Sequence, residues 1–168
     1  DMSFSVQVPE QAGQRRIEWS GSNLSTVFAQ RRNLISPQFW GMLSDIVRFN
    51  RLCTDMAHIA GAASFIAWLE AKPVGLINCF EGYSTFKAKP LLNVHDLVVH
   101  PSRRGQGLAG QLLAEVERIA RQRGCCKVTL EVLEGNTSAQ AAYRRAGFEG
   151  YQLDPVMGRA MFWQKWLS

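Results

Sequence analysis

The chain is poor in the residues on which metal, redox or extracellular chemistry depends. Its 168 residues hold three histidines and four cysteines, Cys53, Cys79, Cys125 and Cys126. No spacing among the cysteines matches a zinc site or a CxxC redox pair, so no metal is expected and the thiols are expected to be reduced. Cys125 and Cys126 open a predicted strand, where neighbours face opposite sides, which assigns one to the core and one to the surface. Long apolar runs are also missing. The longest, residues 59 to 69 (IAGAASFIAWL), is rich in Ala and Gly and too short to cross a bilayer. The opening residues DMSFSVQVPE lack the basic region and apolar core of a secretory signal. A cytoplasmic location without a membrane partner is therefore expected. The formal charge is only +5, and no stretch interleaves aromatic with basic residues as a nucleic-acid surface would. An RNA-binding reading would rest on Arg103, Arg104, Arg144 and Arg145 and is disfavoured. What is left fits one domain, long enough to bury a sizeable core.

Residues 91 to 110, LLNVHDLVVHPSRRGQGLAG, carry the most information. Apolar residues alternate at Leu92 and Val94, then return out of phase at Leu97 and Val99. A strand that changes phase at His95-Asp96 reads as a β-bulge. Pro101 stops the strand, and Arg104-Gly105-Gln106-Gly107 leads directly into an amphipathic run. Glycine-rich backbone at a helix N-terminus is an anion cradle. Helical spacing of Leu108, Leu112, Val116, Ile119 and Ala120 predicts a helix from Gln106 to Arg123, closed by Gly124. A strand over Lys127 to Leu133 follows, and strand, helix, strand implies a parallel pair with a right-handed crossover. Asn136 caps a further helix whose Ala139, Ala142, Tyr143 and Ala146 share a face, ended by Gly147.

Upstream, residues 3 to 8 and 15 to 20 read as short strands. Asn23 or Ser25 starts a helix through Leu34, and Ser36-Pro37 starts another through about Arg51. Residues 64 to 70 and 74 to 86 form an antiparallel pair around Ala71-Lys72-Pro73. Residues 151 to 153 and 159 to 166 supply two closing strands, with Met161, Trp163 and Trp166 in the core.

The pattern Arg/Gln-x-x-Gly-x-Gly/Ala, met by Arg104, Gly107 and Ala109 after Val99-His100-Pro101, resembles the hallmark of the GNAT family of acyl-CoA-dependent acetyltransferases. So does Asn-x-x-Ala-x-x-x-Tyr-x-x-x-Gly-Phe, met by Asn136, Ala139, Tyr143, Gly147 and Phe148. The resemblance covers residues 64 to 168. Residues 81 to 86 (EGYSTF) and Lys89-Pro90 are similar to the polyamine and thialysine branch, except that His95-Asp96 stands where that branch carries Glu-Asp. The implied architecture is an α/β GNAT fold: a mixed, mostly antiparallel sheet, helices on both faces, and a β-bulge at the cofactor cleft. The implied activity is transfer of acetyl from acetyl-CoA to a primary amine of a small molecule. Acetylation of a protein N-terminus or lysine, and a non-enzymatic CoA-binding module, are the alternatives.

The resemblance also assigns roles. The backbone of Leu97, Val98 and Val99 would bind the pantetheine arm. Arg103, Arg104, Gly105, Gln106, Gly107, Leu108, Ala109 and Gly110 would hold the pyrophosphate, with Asn136 and Tyr143 also touching the cofactor. Tyr143 would protonate the departing thiolate. For the base, imidazole is the side chain suited to accepting a proton at neutral pH, which puts His95 forward, and Asp96 adjoins it. On a regular strand the two point to opposite faces, so only one is expected in the cleft, and many members of the family deprotonate through water. Glu131 is a third candidate. Glu81, Tyr83, Phe86 and Glu131 are expected to line the acceptor site, since aromatic faces and carboxylates attract ammonium. A homodimer is expected on the same ground. Residues 1 to 51, which include FAQRRNLISPQFWGMLSDIVRFNR, resemble a fragment of flavin-dependent amine oxidoreductases. The flavin-binding glycine motif is absent, no flavin is expected, and a gene-fusion origin for this leader follows from the resemblance.

Overall fold

Alternating apolar residues between positions 63 and 99 build three consecutive strands, and their pairing sets everything downstream. The computed structural model describes residues 15–19, 55, 58–69, 72–152, 154, 156–158 and 160–167. Among them, β1 (Arg15–Trp19), β2 (Ala63–Leu69), β3 (Lys72–Ser84), β4 (Lys89–Val99) and β5 (Val128–Leu130) form a five-stranded sheet in sequence order. The first four strands pair antiparallel and β4 pairs parallel with β5, the mixed, mostly antiparallel sheet expected. Between β4 and β5 run a 3-10 turn (Pro101–Arg103) and helix α1 (Leu108–Gln122); α2 (Thr137–Arg145) follows β5.

Helix α1 lies on one face of the sheet because its apolar stripe fits there. Leu108, Leu112, Leu113, Val116, Ile119 and Ala120 pack with Phe65, Ala67, Ile77, Cys79, Leu92 and Val94 into one core. Gly75 permits the contact, since a Cβ there would come within 3.1 Å of Leu112 Cδ1 and 3.3 Å of the Val98 carbonyl. Tyr143, Ala146 and Phe148 bring α2 onto the same core. The opposite face of β2 and β3 is buried too, through Ser64, Ile66, Trp68, Leu76 and Asn78. The helices expected between residues 23 and 51, the strand at residues 3 to 8 and most of the flavoenzyme-like leader lie outside the described residues.

Burial dictates the thiol chemistry. Desolvation pushes the Cys79 thiol up to about 12, so it is inert at neutral pH, where the thiolate would be the reactive form. Cys79, Cys125 and Cys126 are free. Among the described residues, no helix is long and apolar enough to cross a membrane, and no group of three or more His, Cys, Asp or Glu residues could hold a metal ion.

Two expectations need correction. Strand β5 ends at Leu130 rather than Leu133. The described residues beyond 150 form no strand, and Met161, Trp163 and Trp166 are 71, 79 and 87% exposed instead of core. Alternation tells which face of a strand would be buried; a strand also needs an edge to pair with, and among the described residues this segment pairs with none.

Replacing Leu112 with Ala removes the side chain at the centre of the helix-sheet contact and is expected to cost about 2–5 kcal/mol, measured by equilibrium denaturation.

Candidate active site

The sheet opens between β4 and β5, and one residue opens it. Asn78 pairs with Asp96 while the next residue of β3, Cys79, pairs with Val94, so His95 is an extra residue on β4. Before it, Leu92 and Val94 face α1; after it, Leu97 and Val99 do. His95 and Asp96 therefore share the face away from α1, as two contacts confirm. The His95 ring meets the Phe80 ring edge-on, 5.5 Å between centroids and 82° between planes, and Asn78 Nδ2 donates to Asp96 Oδ2 at 3.3 Å. The expectation that the two side chains point to opposite faces is corrected. It holds for a regular strand, whereas in a bulge two residues stand opposite one partner.

β5 accompanies β4 only at Leu92, Asn93 and Val94, through Val128, Thr129 and Leu130. From His95 onward β4 keeps its pairing with β3 and loses β5, leaving the N–H and C=O groups on one edge of residues 97 to 99 unpaired by any strand among the described residues. Such groups seek partners, and an extended amide-bearing arm could supply them.

The glycine turn follows the end of β4, just past the 3-10 turn of Pro101–Arg103. Gly105 and Gly107 have φ of 72° and 78°, a left-handed backbone that glycine adopts without strain. A Cβ at either would meet no protein atom within 4 Å, so the turn is open on its ligand side. Gly107 is the N-cap of α1 and supplies no side-chain cap. The first-turn amides thus have neither intrahelical nor capping partners, and they carry the positive end of the helix dipole. Arg104 folds back, Nε donating to the Val99 carbonyl at 3.2 Å, which ties the turn to the end of the bulged strand. Such a turn is suited to an anionic group.

Helix α2 approaches from the α1 side. Asn136 caps it, its side chain accepting from Ala139 N–H at 3.2 Å, and Gln140 Nε2 fastens the preceding loop by donating to the carbonyls of Leu133 and Glu134 at 3.2 and 2.7 Å. Tyr143 is half-buried, its ring 6.1 Å from that of Phe148. Burial raises its phenol above the ordinary value, so it stays protonated at neutral pH and can give a proton.

The proposed acceptor residues divide. Glu131 stands beside the split on the same face as His95, held by Asn93. Glu81 does not join it: its carboxylate lies 3.5 Å from Arg123 at the end of α1. Tyr83 pairs with Pro90 near the hairpin tip, and Phe86 is in the turn itself. Along β4 the separation from Pro90 to Asp96 is roughly 20 Å at about 3.3 Å per residue. Sequence reasoning missed Asn93 and Asn78, although each is a carboxamide flanked by apolar residues within a strand, where Asn is disfavoured.

A raised phenol makes a measurable prediction. Of the three tyrosines, one should titrate above the ordinary phenol range in ultraviolet difference titration, and Tyr143→Phe should remove that component. The sign is that of a group favoured neutral when folded: its stabilisation is present at lower pH and is lost as pH rises through the raised value.

Comparison with known proteins agrees with this geometry. The bovine (Bos taurus) thialysine N-epsilon-acetyltransferase is 34% identical over 85 residues, 47% of this chain and 49% of that protein. The thialysine N-epsilon-acetyltransferase of Caenorhabditis elegans is 26% identical over 116 residues, 63% of this chain and 72% of that protein. The chain thus spans about half the length of the bovine relative. An aminoglycoside N-acetyltransferase solved in complex with CoA superposes with a TM-score of 0.73 over 94% of this chain and 99% of that one, at 21% identity, a likeness of fold. The model of the acetyltransferase (GNAT) family matches residues 29–148. Because that match takes in most of the chain, including the parted strands, the glycine turn and both helices, the chain belongs to the GNAT family of acetyltransferases.

Proposed function

We propose that the protein transfers acetyl from acetyl-CoA to a primary amine of a small molecule by direct attack within one ternary complex. The observation that carries this reading is the opening of β4 from β5 at His95, with the uncapped, glycine-lined start of α1 beneath it. Residues 103 to 110 hold the pyrophosphate through backbone amides, and the free edge of residues 97 to 99 takes the pantetheine arm and polarises the acetyl carbonyl. Held together, amine and thioester react as if at very high concentration.

The nitrogen lone pair attacks the carbonyl carbon; the C–N bond forms as the C–S bond breaks. Tyr143 Oη–H donates its proton to the leaving sulfur from the α1 side. The proton released by the amine goes to His95 or Asp96 on the opposite face, directly or through water. Only at the split can groups on the two faces of a sheet serve the same carbon. That relatives are thialysine and aminoglycoside acetyltransferases supports a small amine as acceptor. One observation favours a peptide amine instead: the hairpin at residues 83 to 90 turns far from the bulge and does not narrow the acceptor side.

The same reading includes a cytoplasmic homodimer. A cavity of about 450 Å³ lies between α1, the start of β5 and the end of α2, its walls combining Leu113, Val128 and Phe148 with the charged Glu117, Arg121 and Lys127. The exposed apolar side chains of Met161, Phe162, Trp163 and Trp166 are suited to fill that space on a second copy.

Incubation with acetyl-CoA and pooled polyamines, amino acids, aminoglycosides and peptides, read by mass spectrometry, should yield one acetylated class; no product from any pool would overturn the reading in favour of a module that only binds CoA. Tyr143→Phe should lower kcat by about 10²-fold with little change in the KM for acetyl-CoA. Removing residues 160 to 168 should convert a dimer to a monomer in light scattering.

A further inference from the structure

Asn93 is the last residue but one of β4 to be paired with β5 before the strands part. Its carboxamide makes three contacts across that junction. Nδ2 lies 3.1 Å from Thr129 Oγ1 and 3.3 Å from each of the two carboxylate oxygens of Glu131. Glu131 is the first residue after β5 and is exposed. Left alone, a side chain with three rotatable bonds at a strand end would sample many orientations. The equal distances show the carboxylate centred on one donor, with both oxygens facing it. The face is defined as well. Leu92 and Val94 point to α1, so Asn93 points away from it, to the side where His95 and Asp96 stand.

We propose that Asn93 is a positioning residue that holds the Glu131 carboxylate at the mouth of the split, where it binds the ammonium form of the acceptor. The inference rests on the amine-acetylation reading above. A primary alkyl amine is almost wholly protonated at neutral pH, so it arrives as a cation and must be bound before it is deprotonated. A fixed carboxylate binds that cation at a defined place, and a mobile one spends part of its attraction on being ordered. Glu131 captures, Asn93 aims, and the proton leaves by the His95 and Asp96 side. No other charged side chain among the described residues is hydrogen-bonded to Asn93 or to Glu131.

The experiment is a double-mutant cycle in the full chain with the best amine found in the pooled screen. Asn93→Leu, which keeps the size and removes the donor, is expected to raise the amine KM about tenfold, the scale of one lost hydrogen bond to a charged group. The KM for acetyl-CoA and the kcat at saturating amine should stay within about twofold of the parent's. Glu131→Gln should raise the same KM, and adding Asn93→Leu to it should change nothing further, because a positioning residue acts only through its partner. Equal effects of Asn93→Leu in both backgrounds, or a KM for acetyl-CoA that rises as much as that for the amine, would show a structural role and overturn the proposal. If Asn93→Leu does not fold, the side-chain amide resonances of Asn93 in the folded Glu131→Gln protein decide: a shift from their parent position is expected, and unmoved resonances overturn the contact. A parent protein that acetylates no amine overturns the functional reading and this role with it, whereas turnover with an amine KM indifferent to Asn93 overturns this role alone.

Discussion

The site hangs on one additional residue in one strand. Inserting His95 between the partners of Asn78 and Cys79 has consequences that a regular strand could not deliver together. It returns Leu97 and Val99 to the α1 side, so the core continues beyond the bulge. It places His95 and Asp96 on one face. It bends β4 away from β5, since a bulge locally raises the twist and interrupts the ladder. The opening is therefore a property of backbone pairing, and side chains only furnish it.

Such a bulge must be held against the simpler register in which every residue pairs. Buried polar atoms do this. Ser64 Oγ donates to Asn78 Oδ1 at 2.7 Å, and Asn78 Nδ2 donates to Asp96; Ser64 and Asn78 are 0 and 3% exposed. Slipping β4 by one residue would carry Asp96 away from Asn78 and leave a buried carboxamide without its acceptor, at a cost of about 1–3 kcal/mol. The chain of hydroxyl, carboxamide and carboxylate across β2, β3 and β4 thus specifies register as much as it orients Asp96. A fully apolar interior would have packed as well and specified less.

Much of this was legible in the sequence because it is local. The change of phase between Val94 and Leu97 marks the bulge, Gly105 and Gly107 mark the turn, the stripe from Leu108 to Ala120 marks α1, and Asn136 marks the start of α2. What escaped depends on partners far along the chain. Glu81 looks like an acceptor ligand until Arg123 is found beside it, and Asn93 looks like a polar interruption until β5 brings Glu131 to it. The disposition of His95 and Asp96 departs from the rule for regular strands because β4 is irregular at that point. Met161, Trp163 and Trp166 have the alternation of buried strand residues, but nothing in that alternation says whether an edge of the same chain is available to them.

The two helices show how a shared element comes to different ends. α2 begins at Asn136, whose side chain accepts from Ala139 N–H; one of the donors at its start is consumed within the protein, a gain of about 1 kcal/mol for the helix. α1 begins at Gly107, which has no side chain to offer. That stability is left unclaimed by the protein, and the left-handed backbone at Gly105 and Gly107 turns the chain at a point with open space beside both glycines. An anion there meets donors already ordered by the helix and by the Arg104 tie to Val99, so binding need not organise them. The position of the turn then follows from the strand before it: the bulge sets where β4 ends its partnership with β5, Pro101 sets where β4 itself ends, and the free strand edge and the first-turn amides of α1 thereby stand at two ends of a single continuous stretch of backbone.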